Sequence, residues 1–231
     1  MTDNRLSKKI QEDFDRIAWA AQEEDTHPKW DHNNHYHNFL LKQLPTPCGT
    51  VLEVGCGIGE FAHRLGQHVA QVTAVDLSPK MVDVANQRLQ HVGNIDFHVA
   101  DIMTWTLPPE HFDAIVSIAT LHHISLELLL PKLQAALKPG GRLVVLDLLQ
   151  HAHPWDAASD LVAVPLNWLY EKRLNRGVTS STEAAMAMQA HIETDQYLTL
   201  AEARQIYTSV LAGAKVRKHL FWRYSVVWEK S

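Results

Sequence analysis

A carboxylate two residues ahead of a glycine-rich turn is the first group able to do chemistry: in "LEVGCGIGEF", Glu53 precedes Gly55, Gly57 and Gly59. Glycines at that spacing suit a tight turn in which backbone comes close to a ligand at a helix start. Dinucleotide sites use a similar loop with a third glycine one position later, and here that position is Glu60. A carboxylate at Glu53 suits a cationic amino group, held directly or through water, and a nicotinamide dinucleotide has no cation to place there. Asp76 closes "QVTAVD" and suits a two-point grip on a ribose diol, a device that nicotinamide enzymes share. In "VADIMTW", Asp101 suits an adenine amino group and Ile102 suits cover for the ring.

These residues need a scaffold that brings them to one edge, and the pattern from Thr50 to Gln150 supplies it. Short apolar runs alternate with helical stretches, the signature of a parallel α/β sheet. Strands are predicted at 50–55, 71–76, 95–100, 112–119 and 142–149, with helices starting near Gly59, Ser78 and Leu126. "SPKM" has a capping Ser followed by Pro at the first helical position, and that helix runs to about Gln90. "KPGG" at 138–141 ends a helix and turns into the next strand. Thr199 and Glu202 have capping-box spacing, opening a helix that closes at Gly213. "KVRKHLF" and "RYSVVWEK" follow as an antiparallel pair added to the sheet. Residues 151–198 fit none of this rhythm. An insertion after the fifth strand usually lies over the carboxyl edge, so the segment reads as a lid or substrate cap. It brings His151, His153, Trp155, His191 and Tyr197, and an apolar stretch in which Leu161, Val164, Trp168 and Leu169 are expected to pack onto the domain.

Composition limits the partners. A chain of 231 residues with 46% hydrophobic content suits one domain, and a formal charge of -5 argues against broad attraction to nucleic acid or anionic membranes. No run of roughly 18 apolar residues spans a bilayer and the first fifteen residues have no signal-peptide core, so a cytoplasmic protein is expected. Cys48 and Cys56 read as reduced thiols rather than a disulfide framework.

Three consecutive strand ends thus offer an amino acid site, a ribose site and an adenine site, the three parts of S-adenosylmethionine in order. The segments "VLEVGCGIGEF", "VTAVDLSPKMVDVA", "IDFHVADIMTW", "FDAIVSIATLHHI" and "LKPGGRLVVLDL" resemble class I S-adenosylmethionine-dependent methyltransferases, in particular the small-molecule group that includes the ubiquinone and menaquinone methylases. The resemblance covers roughly 50–150 and implies a Rossmann-like, mostly parallel seven-stranded sheet with a C-terminal antiparallel hairpin. It implies one methyltransferase domain over 1–231: an N-terminal helical gate (1–45), a cofactor core (50–150), a lid (151–198), then a helix with the C-terminal hairpin (199–231). It also implies that Gly55 and Gly57, in the loop with Cys56 and Gly59, present backbone to the methionine part. Leu77 and Met81 would pack near the adenine, and Ser117 and Ala119 would lie beside the methionine chain and sulfonium. The acceptor would be a small molecule with an O, N or C nucleophile. A regulatory protein that binds the cofactor without transfer remains the alternative, with a nicotinamide oxidoreductase behind it.

His122 and His123 follow the fourth strand, close to where the methyl should point. A histidine within hydrogen-bond reach of a hydroxyl or carbon acid contributes on the order of 10²-fold as a base. Equally, one imidazole fixes the loop and the other is exposed. "DHNNHYHNFLLKQLP" packs His32, His35 and His37 around Tyr36. Read as a helix, it puts Trp30, His37, Leu40, Leu41 and Leu44 on one face and His32, His35 and Phe39 on the other. No acidic residue or thiol completes a shell for His32 and His35, so no metal is expected there. By the resemblance, Tyr36 and His37 belong to a gate touching the cofactor's methionine end or the acceptor.

Overall fold

Successive side chains of a strand face opposite ways, and the predicted strands divide the core accordingly. On β1 (Thr50–Val54), Leu52 and Val54 join one apolar cluster and Val51 the other. On β4 (Phe112–Ile118), Ile115 faces one way and Ala114 and Val116 the other; on β5 (Leu137–Leu148), Leu143 and Val145 oppose Val144 and Leu146. Strands buried on both faces become nearly continuous apolar runs, which is why these were legible.

The computed structural model describes residues 4–22, 30–150, 160–175 and 195–231. With β2 (Gln71–Asp76), β3 (Ile95–Val99), β6 (Lys215–His219) and β7 (Arg223–Glu229), the sheet order is β3-β2-β1-β4-β5-β7-β6. Strands β1 to β5 are parallel, and β7 pairs antiparallel with both β5 and β6. Only β7 therefore runs against the rest. Strand order reverses beside β1, and the crevice at such a switch point, outside the carboxyl ends, is where open α/β sheets bind ligands.

Local chemistry fixes most helix starts as predicted. The Ser78 hydroxyl accepts the Met81 N–H at 3.0 Å to open α4 (Pro79–Leu89). Thr199 and Glu202 form the reciprocal capping box before Leu200–Val210, here α7. Helix α3 (Glu60–Gly66) follows Gly59, and α5 (Leu126–Ala136) passes directly into β5 at Leu137. "KPGG" therefore lies inside β5, at a shift in its register with β4, rather than forming a turn ahead of it.

The segment after Trp30 is not one helix. The Asp31 carboxylate accepts the N–H groups of Asn33 and Asn34 at 2.6 and 2.8 Å, a local turn that competes with helix. A 3-10 turn (Asn34–Tyr36) and a short α2 (His37–Leu41) follow. The long N-terminal helix is instead α1 (Asn4–Gln22), with Ile10, Phe14 and Ile17 at helical spacing. Of the insertion, α6 (Asp160–Leu174) turns Ala163, Leu166 and Tyr170 to the core. Leu161, Val164 and Trp168, expected to pack inward, are 80%, 53% and 61% exposed, because a helix apolar all round presents one stripe to a single neighbour. His151, His153, Trp155 and His191 lie outside the described residues.

Candidate active site

A cavity of about 840 Å³ occupies the crevice at the switch point, within the range of about 300–1,000 Å³ usual for ligand pockets. Its floor is the β1 turn. Gly55 has φ +76°, and a Cβ there would collide with the side chain of Thr120, so no larger residue fits the turn. Gly57 donates its N–H to Asp76 at 2.8 Å, and Ser78 donates to the other Asp76 oxygen at 2.9 Å. These bonds, with a further one from the Leu77 N–H, fix the Asp76 carboxylate. Burial raises its pKa, opposed by the backbone N–H donors.

Glu53 is 2% exposed, and its Oε2 has no hydrogen-bond partner. Burial, reinforced by the Asp76 carboxylate, pushes its pKa well above the carboxylate range. A buried carboxylate oxygen without a donor is costly, and a cationic group in the cavity would satisfy it. Asp101 accepts the Met103 N–H through Oδ1 at 2.9 Å, leaving Oδ2 for a ligand. Ile102, Leu77 and Met81 join it in the wall, as do Cys56, Ala119 and His37. His37 is buried, and desolvation, then the nearby Arg64, lowers its pKa to about 4.

At the opposite end His122 and His123 both face the cavity, and neither is exposed: their side chains are 4% and 9% accessible. The His122 Nδ1 lies 2.6 Å from Asp147 Oδ1, and its backbone N–H donates to Asp147 Oδ2 at 3.0 Å. Burial opposes charge on this imidazole, but Asp147 and Asp195 outweigh it and raise the pKa to about 9. The two carboxylates therefore favour the protonated form of His122.

Three predicted residues lie outside the cavity wall. Tyr36 packs into the core beneath α2 and donates its hydroxyl to the Leu220 carbonyl at 2.9 Å. Ser117 is buried between strands, donating to the Val54 carbonyl at 2.8 Å. Gly59, at φ +83°, faces α4: a Cβ there would meet Leu89 at 2.9 Å and Phe97 at 3.1 Å. It permits close helix packing.

The cavity also recruits residues beyond the predicted cofactor set and the two histidines after β4. Ile10, Phe14 and Ile17 of α1 close one side, and His32 and Asn33 come from the turn before α2. Asp195 and Tyr197 enter from the end of the insertion, and Arg223, 7% exposed, from the start of β7. A lone Asp in the apolar run "RLVVLDLL" was a usable signal for Asp147, since a charge on a buried strand needs a partner. Arg223 carried no such mark.

A switch-point cavity with three carboxylates at successive strand ends, under a sheet of order 3-2-1-4-5-7-6, defines a class I methyltransferase. Residues 51–141 match the family model described as "Methyltransferase domain". An uncharacterised methyltransferase of Mycobacterium tuberculosis is 32% identical over 208 residues, covering 86% of this chain and 96% of that protein. A demethylmenaquinone methyltransferase of Tropheryma whipplei is 31% identical over 147 residues, 63% of this chain and 60% of that one. The crystal structure of a SAM-dependent methyltransferase from Aquifex aeolicus shares the fold, with a TM-score of 0.60 and 16% identity over 93% of this chain and 98% of that one. The chain belongs to the class I S-adenosylmethionine-dependent methyltransferases and is an enzyme of that family. Among the described residues, no helix is long and apolar enough to cross a membrane.

Proposed function

We propose that this single-domain enzyme methylates a small organic acceptor held between the β4 and β5 ends, α1 and the insertion. The observation that carries the assignment is the unbonded, buried Oε2 of Glu53 on the cavity floor. Glu53 would hold the cofactor's ammonium, with Gly55, Cys56 and Gly57 supplying the backbone beside it. Asp76 would accept the ribose hydroxyls on its carboxylate. Asp101, Ile102, Leu77 and Met81 would form the adenine pocket, and Ala119 and His37 would flank the methionine part. S-adenosylmethionine, when bound, supplies an electrophilic methyl group on a sulfonium whose departure as a thioether is neutral.

The protein's work is to align the acceptor and exclude water. Phe14, Ile17 and Ile10 line one side of the cavity, and His122, its ring fixed by Asp147, presents Nε2 to the acceptor space. An apolar wall with a few fixed polar groups suits a largely apolar acceptor. The net charge of -5 gives nucleic acid no electrostatic footing, and a cytoplasmic setting fits the two free thiols. The test is calorimetry with S-adenosylhomocysteine, followed by incubation with labelled S-adenosylmethionine and a fractionated metabolite extract. One-to-one binding and label in a small-molecule fraction are expected. Tight NAD(H) binding without S-adenosylhomocysteine binding would overturn the assignment.

A further inference from the structure

His122, His123 and Asp195 converge at the acceptor end of the cavity, one candidate ligand atom from each lying within 4.8 Å of the others. The His122 Nε2 is 3.7 Å from Asp195 Oδ2, and the His123 Nδ1 is 3.6 Å from Asp195 Oδ1. Ligand atoms about 2.0–2.1 Å from a tetrahedral ion stand roughly 3.4 Å from one another, so the two separations, made to different oxygens of Asp195, need a few tenths of an ångström and the set as a whole a side-chain shift of about an ångström. From this geometry we infer that the three side chains form a site for a divalent transition-metal ion.

Three features support it. The first is the outer shell: Asp147 takes the His122 Nδ1 at 2.6 Å, which fixes the ring and turns Nε2 toward Asp195. A carboxylate behind a histidine ligand is the arrangement that orients imidazoles on metals and raises their basicity. Tyr197 donates to Asp195 Oδ2 at 3.1 Å and steadies the third ligand in the same way. The second is packing. The two imidazole centroids are 3.9 Å apart, close enough for both rings to reach one ion. The third is location: all three residues line the cavity, so a three-ligand site leaves a coordination position open toward the acceptor space. Two histidines and one carboxylate suit zinc, cobalt, nickel, manganese or ferrous ions better than magnesium or calcium, which prefer all-oxygen shells.

The site rests on the methyltransferase reading only for its purpose, and the experiment keeps the two apart. Full-length protein stripped with a chelator is titrated with Co²⁺, whose visible ligand-field bands report nitrogen and oxygen ligation, and with Zn²⁺ by calorimetry. S-adenosylhomocysteine binding is measured on the same samples. One ion per chain is expected, with at least tenfold weaker binding in His123→Ala and in Asp195→Asn, and unchanged binding in Cys48→Ser, a thiol outside the cavity lining. Asp147→Asn should weaken the metal about tenfold through the outer shell. Retention of S-adenosylhomocysteine binding certifies that each variant is folded. Absence of metal binding in the wild-type protein, or binding that survives both His123→Ala and Asp195→Asn, overturns the site and leaves the methyltransferase assignment untouched.

Discussion

Glu53 and Asp76 occupy the same floor but differ in how they are satisfied, and the difference predicts different mutant behaviour. Glu53 has an oxygen with no partner, and in Gln an amide of the same shape faces the same cavity, so the substitution removes the carboxylate that a cation would need without changing the packing of the floor. Glu53→Gln should keep or slightly raise the melting temperature while weakening S-adenosylhomocysteine about tenfold to a hundredfold, the worth of a charge-assisted bond of about 1.5–3 kcal/mol. Calorimetry with thermal unfolding reads both, and undiminished affinity would remove Glu53 from the ammonium site. Asp76 instead holds the N–H groups of Gly57 and Ser78, so Asp76→Ala should lose both cofactor affinity, by more than tenfold, and about 1–3 kcal/mol of stability. A variant that binds the cofactor normally contradicts the ribose assignment. Residues such as these were legible because a carboxylate ending an apolar run has to be used for something. Tyr36 and Ser117 were not, since their partners, the carbonyls of Leu220 and Val54, are set by tertiary folding and leave no trace in local spacing.

At the scale of elements, the parallel core was readable because buried strands and capped helices write themselves into sequence, whereas the pieces that close the cavity do not. Helix α1 is amphipathic, but nothing local says where its apolar stripe lands. Ile17 and Ala18 pack with Met81 at the start of α4, and Ser78, the cap of α4, donates its hydroxyl to Asp15. The same Asp15 oxygen accepts the Lys80 N–H at 3.3 Å. One carboxylate therefore ties α1, which lines the cavity, to α4, the helix beside the proposed adenine pocket. Asp15→Ala should free α1 locally while leaving the sheet intact. Hydrogen exchange in residues 8–18 should rise, S-adenosylhomocysteine should dissociate several-fold faster, and global unfolding should shift by no more than about 1 kcal/mol. Unchanged exchange in α1 would show that apolar packing alone holds the gate.

Across the whole molecule, stability and cavity chemistry meet at His37, a buried imidazole on α2 that packs at 4.8 Å from the Phe61 ring and lines the cavity. Desolvation and Arg64 lower its folded pKa to about 4, against 6.5 for the free side chain. Between those values the unfolded chain binds a proton that the folded chain refuses, so the stabilisation is complete above pH 6.5 and is lost progressively as pH falls toward 4. At about 1.4 kcal/mol per pKa unit, the loss is on the order of 2–3 kcal/mol, a large share of a typical domain's stability. His37→Leu should flatten this limb: burial penalises the charged imidazole and adds nothing to the neutral one, so between pH 7 and pH 4.5 denaturant unfolding should shift in favour of the variant by that amount, the change in the difference isolating His37 from other titrating groups. Equal pH dependence in the two proteins would mean that His37 reaches solvent. Because the cofactor is proposed to bind only the folded chain, S-adenosylhomocysteine at about a hundred times its Kd should add roughly 2.7 kcal/mol. If His37 contacts the ligand, that increment should shrink in His37→Leu at pH 7, where both proteins are folded and the histidine is neutral.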